Sequence, residues 1–391
     1  MAYHFMVQRV PMGSRFYVEC RSKKYKLNSP TMSICVIGDA FLDILTIVGP
    51  SMSNFQEEGD TLAESISLMA GGSGLNTSFR LKEIDSSINI TFLSSVGHDE
   101  QGEMLERSLK DMGVHTCLLK DDQGGQTGAC VVLSVNTKRS FITQRGVIDE
   151  FQVRKFSPET LRDKAITASH LHCAGYFNCS GLRLTRKEMG ELDNLGQVQD
   201  LVDLFRSTRE CSGTTSINPQ DDASGSWKLP MELLEYTTFL IGNEEEITNI
   251  ARVNGNDSEL PSHRGEVAKI LLSLGCHCVV ITRGRDGAEA YLEGTDGIVV
   301  ISQRSVPLEQ TKFEVVDTTG AGDSFVAGFL HVVFVEKYKP DSHVQEQERE
   351  VIRKAMRMAC LMGAHATLVR GGSTVDRGLL NRFRQVAEAV L

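Results

Sequence analysis

No stretch of this chain approaches the roughly 18–20 consecutive apolar residues that span a bilayer. The best run, Val326 to Val335, is about half that length and contains His331, so it reads as a buried core helix and no membrane association is expected. CxxC pairs are missing as well. The ten cysteines are scattered, several of them inside apolar runs, which fits buried free thiols in a reducing compartment. Cys276-His277-Cys278 has the look of a ligand group, but no second cluster accompanies it and no metal is expected there. An excess of positive charge is also absent. With 41 basic and 51 acidic residues the net charge is −10, which argues against a general nucleic-acid binder that works by neutralising phosphates. No GxxxxGK[ST] loop occurs anywhere. The segment GGSGLN (71–76) fails the GxGxxG dinucleotide fingerprint because Asn76 stands at the third glycine, which disfavours a nicotinamide dehydrogenase. Neither an internal repeat nor a low-complexity tract is found.

What is present is a chain of 391 residues, 41% hydrophobic and 24% charged, enough for one large domain or two ordinary ones with a packed core. Residues 1–32 stand apart. They hold Arg9, Arg15, Arg21, Lys23, Lys24 and Lys26 against the single acid Glu19, and lack the hydrophobic core of a secretory signal. They read as an extension: disordered, an organelle-targeting leader, or an overcalled start ahead of Met32. Without targeting, the expected location is cytoplasmic. From Ser33 to residue 391 short apolar runs alternate with helical stretches: SICVIGDAF, then Leu75 to Ile84, INITFLSSVG, GEMLERSLKDMG, and later ASHLHCAGYF, TTSIN, TTFLIGN and CHCVVITRG. That alternation predicts one α/β domain around a mainly parallel sheet, with ligands bound outside the C-terminal strand ends. Two segments, about 46–68 and 116–145, break the alternation and are expected to form a small β-layer, either a lid over the site or a dimer surface.

Several clusters carry chemistry in that frame. FEVVDTT (313–319) reads as a strand end, and in VDTTGAGDSFV (316–326) it gives way to glycines and then to a helix expected from Ser324 onward. Gly320, Ala321 and Gly322 would then sit at a helix N-terminus, where unpaired N–H groups and the helix dipole attract an anion. Asp323 within one turn of that anion is either a general base or an N-cap closing the turn. Asp43 in GDAFLD follows the first strand and could accept hydrogen bonds from sugar hydroxyls, or simply cap a turn. Gly72 and Asn76 in GGSGLN offer backbone approach and an amide, or a flexible helix entry. Asn243 and Glu246 in GNEEE share one face of a helix start, suited to water-coordinated Mg²⁺ or to the helix dipole alone. Thr282, Gly284 and Gly287 in ITRGRDGA form a hairpin turn or a ledge for a nucleotide.

Taken in chain order, GDAFLD, GGSGLN, NEEE, TRGRDG and DTTGAGDSF resemble the motifs of the ribokinase-like, phosphofructokinase-B-type carbohydrate kinases, in that family's order, from about Ser33 to near the C-terminus. The resemblance implies a three-layer fold with a small β lid and ATP-dependent phosphorylation of a small carbohydrate. Asp323 would be the base, and the N–H groups of Gly320, Ala321, Gly322 and Asp323 the anion hole. Asp43, Gly72 and Asn76 would hold the sugar. Asn218 in SINPQ would lie near the ATP phosphates, Thr282, Gly284 and Gly287 would border the nucleotide, and Asn243 and Glu246 would organise Mg²⁺. Asp317, with backbone near Thr319 and Gly371, would be the place for a monovalent cation such as K⁺, and the lid a homodimer surface. One departure is Phe41, where typical ribokinases carry Asn two residues before the substrate aspartate; that puts ribose itself in doubt. The alternatives are a nucleoside kinase of the same fold, for which Phe55 and Phe141 could stack on a base, and a non-catalytic sugar-binding relative.

Overall fold

The computed structural model describes residues 17–20, 23–26, 31–48, 60, 62–135, 138–185, 198, 200–255, 263–340 and 344–390. The described strands are β1 (Tyr17–Cys20), β2 (Lys23–Lys26), β3 (Thr31–Gly38), β4 (Phe41–Val48), β5 (Ala63–Gly71), β6 (Asn89–Gly97), β7 (His115–Asp121), β8 (Ala129–Val135), β9 (Lys138–Gln144), β10 (Ala168–Ala174), β11 (Thr214–Asn218), β12 (Phe239–Asn243), β13 (Cys278–Thr282), β14 (Ala288–Gly294) and β15 (Gly297–Gln303). Nine of them build the main sheet in the order β15-β14-β13-β12-β11-β10-β3-β6-β7. The run from β13 to β7 is parallel throughout, and β14 and β15 close one edge antiparallel. Among the described residues β1 and β2 pair only with each other.

Strand alternation distributes the core. Ile34 and Val36 of β3 point to one helical layer, Cys35 and Ile37 to the other, and all four are fully buried. Burial on both faces explains why the parallel strands read as continuous apolar runs. One layer is formed largely by the helices Leu201–Glu210, Glu244–Asn254 and Arg264–Ser273. The other is formed by Ser73–Ile84, Glu100–Asp111, Ala321–Val335 and Glu346–Ala366. The last two approach closely at Gly328, where a Cβ would stand 2.7 Å from the Met358 carbonyl oxygen. Val326–Val335 is therefore core, and no described helix is long and apolar enough to cross a membrane.

The second, four-stranded sheet runs β5-β4-β8-β9. It takes its strands from both segments expected to break the alternation, with one correction. Residues 116–121, expected in the small layer, lie in β7 and pair parallel with β6 at the edge of the main sheet. The helix Glu100–Asp111 supplies the crossover that a parallel partner needs. A second correction concerns residues 313–316, expected as a strand. They run irregularly, because the N–H groups of Val316 and Asp317 bond the Thr367 carbonyl beyond the helix Glu346–Ala366 and no strand lies alongside.

The order of the main sheet fixes where a ligand binds. β3 lies between β10 and β6, so the direction of chain winding reverses there, opening a crevice at the C-terminal strand ends. The helix Ala321–Val335 is held over this point by Phe329, fully buried and edge-on to Phe239 with ring centroids 5.0 Å apart. Phe329→Ala is expected to lower the unfolding free energy by about 3–5 kcal/mol. Urea denaturation followed by circular dichroism measures it; a loss below about 1 kcal/mol would contradict this anchoring.

Candidate active site

The helix begins at Ala321, three residues earlier than the sequence suggests. Its N-cap is Gly320, left-handed at φ 72° and ψ 9°. Glycine is required there twice over: the conformation disfavours side chains, and a Cβ would lie 2.5 Å from Cα of Gly372. At Gly322 a Cβ would meet nothing within 4 Å, so the first turn opens onto free space. N–H groups at a helix N-terminus beside an open cleft form an anion site, and here the Ala321 N–H is shared with the Thr318 carbonyl at 3.3 Å. Asp323, the third helical residue, makes no cap, which removes the N-cap alternative.

Its carboxylate is held by three side chains from two other segments. Oδ1 accepts from Ser73 Oγ at 2.7 Å and from Gln220 Nε2 at 3.0 Å, and Oδ2 accepts from Asn76 Nδ2 at 2.8 Å. Asn218 Oδ1 in turn accepts from Gln220 Nε2 at 2.7 Å and Ser73 Oγ at 3.3 Å, while its own amide donates to the Ile241 carbonyl. Burial raises the pKa of Asp323; the Asn76 and Ser73 donors, and the positive charge of Arg80, act in the other direction. A carboxyl shifted upward yet held by fixed donors is a better proton acceptor than a free aspartate.

Facing it across the cleft stand Asp43 and Asp39. Asp43 lies on β4, and burial pushes its pKa up to about 7, with the charges of Asp39, Asp323 and Asp317 adding to the effect. Asp39 was passed over in reading the sequence. It is fully buried, accepts from Gly74 N–H at 3.0 Å and Asn178 Nδ2 at 2.8 Å, and is raised to about 6, chiefly by burial. Gly72 brings the backbone close: a Cβ on it would stand 2.9 Å from Cα of Ala40. Phe41 also lines this side.

Asn243 and Glu246 form a capping box. Asn243 Oδ1 accepts from Glu246 N–H, and Glu246 Oε2 accepts from Asn243 N–H, both at 2.9 Å. Burial raises Glu246 to about 7. Both still line the cleft. Among the described residues no group of three or more His, Cys, Asp and Glu is placed to hold a metal ion. These two side chains suit Mg²⁺ only as water-mediated partners of an ion already carried by phosphates. Cys276 and Cys278 are buried and His277 bonds Glu348 and Tyr338.

Asp43, Gly72, Asn76, Asn218, Asn243, Glu246, Thr282, Gly320, Ala321, Gly322 and Asp323 thus line one cleft of about 1050 Å³. Gly284 and Gly287 do not; they form the turn between β13 and β14, where Arg283 N–H bonds the Gly287 carbonyl. Asp317 lies beneath the lining, its Oδ1 accepting from Thr319 N–H and its Oδ2 from Gly371 N–H. The cleft also receives Ser73, Gln220, Arg139 and Arg145, none of them foreseen. Gln220 sits in a left-handed backbone conformation at φ 60° that no local sequence signal announces. Phe55 lies outside the described residues.

This fold and this site define a phosphotransferase acting on an alcohol group, and comparison with known proteins agrees. Residues 32–375 match the model of the pfkB family carbohydrate kinases, and the chain belongs to that family. It is 26% identical over 320 residues to a ribokinase of Arabidopsis thaliana, covering 81% of this chain and 74% of that one. It is 24% identical over 289 residues to an adenosine kinase of Dictyostelium discoideum, covering 70% and 75%. Among solved structures, ribokinase from Giardia lamblia superposes with a TM-score of 0.67 at 17% identity, covering 91% of this chain and all of that one. Arabidopsis thaliana ribokinase complexed with ribose and ATP gives 0.64 at 19% identity, covering 91% and 99%. The fold is ribokinase-like, and the chain is a sugar or nucleoside kinase.

The raised pKa of Asp43 carries a stability consequence. Its folded value of about 7 lies above the unfolded value of about 4, so ionisation opposes folding as pH rises between the two. Asp43→Asn should therefore raise the melting temperature of the ligand-free protein at about pH 8, with the gain vanishing below about pH 4. Thermal unfolding across that range tests it; a pH-independent difference would contradict the assignment.

Proposed function

We propose that this kinase transfers the γ-phosphate of ATP to a hydroxyl of a small carbohydrate, with Asp323 as the base. The observation that carries the reading is the position of Asp323: a buried carboxylate fixed by Ser73, Asn76 and Gln220, one turn from an open helix N-terminus and across the cleft from Asp43 and Asp39. Asp43 would accept hydrogen bonds from sugar hydroxyls and set the acceptor hydroxyl against Asp323. Asp323 takes the hydroxyl proton as the oxygen attacks the γ-phosphorus. The bond to the bridging oxygen breaks and ADP leaves, while the N–H groups of Gly320 to Asp323 stabilise charge on the transferring group. Asn218 lies on the phosphate side, and Thr282 borders the nucleotide. Asn243 and Glu246 would orient the waters of a phosphate-bound Mg²⁺, whose chemistry is to neutralise phosphate charge. The small sheet covering the cleft would exclude water and limit wasteful ATP hydrolysis.

A nucleoside acceptor is the second reading, and two observations favour it. Phe41 and Phe141 both line the cleft, offering faces to a base, and adenosine kinases are among the similar proteins. Phe41 also withholds the amide that the ribokinase pattern places there, which favours an acceptor other than ribose. A coupled ADP-release screen over ribose, fructose, 2-keto-3-deoxygluconate and adenosine separates the readings: turnover confined to adenosine would overturn the sugar assignment.

Asp323→Asn should bind ATP as the parent does and lower kcat by about 10²–10⁴-fold or more. Near-parental turnover in that variant would remove the proposed base.

A further inference from the structure

Arg139 lies on β9, in the small sheet, yet its guanidinium reaches into the loop that precedes the helix N-terminus. Its Nη2 stands 2.7 Å from Asp317 Oδ1, and the two side chains are only 10% and 5% exposed. Asp317 Oδ1 also accepts from Thr319 N–H at 2.7 Å, and Oδ2 from Gly371 N–H at 2.9 Å. Both carboxylate oxygens are thus engaged by donors, one of them a full positive charge. This is the carboxylate at which the family resemblance places a monovalent cation, and its surroundings do not fit that ion: the counter-charge is already there on a side chain.

The chemistry gives that charge a purpose. Asp317 lies three residues before Gly320, so its negative charge, left alone, would repel an incoming phosphate from the anion hole. Removed from water, such a charge is screened weakly and needs a partner. A guanidinium fixed against it offsets the charge and ties loop 317–320 to the sheet that covers the cleft. We infer that Arg139 is a tethered counterion that takes the place of the monovalent cation at Asp317, so that phosphoryl transfer by this enzyme does not require K⁺. The inference rests on the kinase reading above.

The test replaces tetramethylammonium chloride stepwise by KCl at a constant ionic strength of about 0.1 M, with initial rates and melting temperatures read in ATP and Mg²⁺. The parent enzyme should hold its rate within about twofold and its melting temperature unchanged across the series. Arg139→Gln should lose about tenfold or more in rate without K⁺, and KCl should restore both rate and melting temperature. Activation of the parent by about tenfold or more with K⁺ would overturn the inference. So would an Arg139→Gln variant that KCl fails to restore, which would make Arg139 a phosphate contact or a structural residue. If the parent turns over none of the acceptors above, the kinase reading fails, while the melting temperatures still report whether K⁺ substitutes for Arg139.

Discussion

Asp323 has lost nearly all contact with water and sits beside the helix N-terminus proposed to hold a phosphate. Such a carboxylate cannot be tolerated by chance: burial disfavours its charge and a neighbouring anion repels it. Its position depends on three donors from two parts of the chain, Ser73 and Asn76 at one helix start and Gln220 after β11. Those donors converge only because the main sheet reverses its winding at β3, which sets the ends of β3, β10 and β11 around a single crevice. The sheet order, the glycines that let backbones approach, and the helix anchored by Phe329 all contribute to holding one oxygen pair in place.

The sequence made the parallel sheet and the contents of the cleft legible, and for a physical reason. Strands buried on both faces are written as short apolar runs, and close backbone approach to a ligand is written as glycine, so Gly320, Gly322 and Gly72 could be found without coordinates. Position along the chain was less legible. The helix starts at Ala321, ahead of the expected Ser324, because a helix can begin with small residues once Gly320 supplies the left-handed turn. The run 313–316 has strand-forming residues but no strand beside it, and tertiary context overrides the local preference. Gln220, Arg139 and Arg145 were missed because each reaches the cleft through a long side chain, and where a long side chain ends is decided by packing.

The two sides of the cleft differ in kind. On the side proposed for the phosphate the groups are backbone N–H donors with the Asp323 carboxylate. On the acceptor side they are carboxylates with raised pKa values, Asp39 and Asp43, together with the ring of Phe41. Carboxylates suit a ligand rich in hydroxyl donors, and the ring narrows which ligand fits. Between them the small sheet contributes Arg139, whose guanidinium stands 2.7 Å from Asp317 Oδ1.

The most direct test of the account is a structure of the enzyme with ADP, Mg²⁺, a planar phosphoryl mimic and the acceptor that the screen identifies. The mimic should lie against the N–H groups of Gly320 to Asp323, and the acceptor oxygen about 3 Å from an Asp323 oxygen. An acceptor hydroxyl lying beyond hydrogen-bond reach of Asp323, with no water between them, would contradict it.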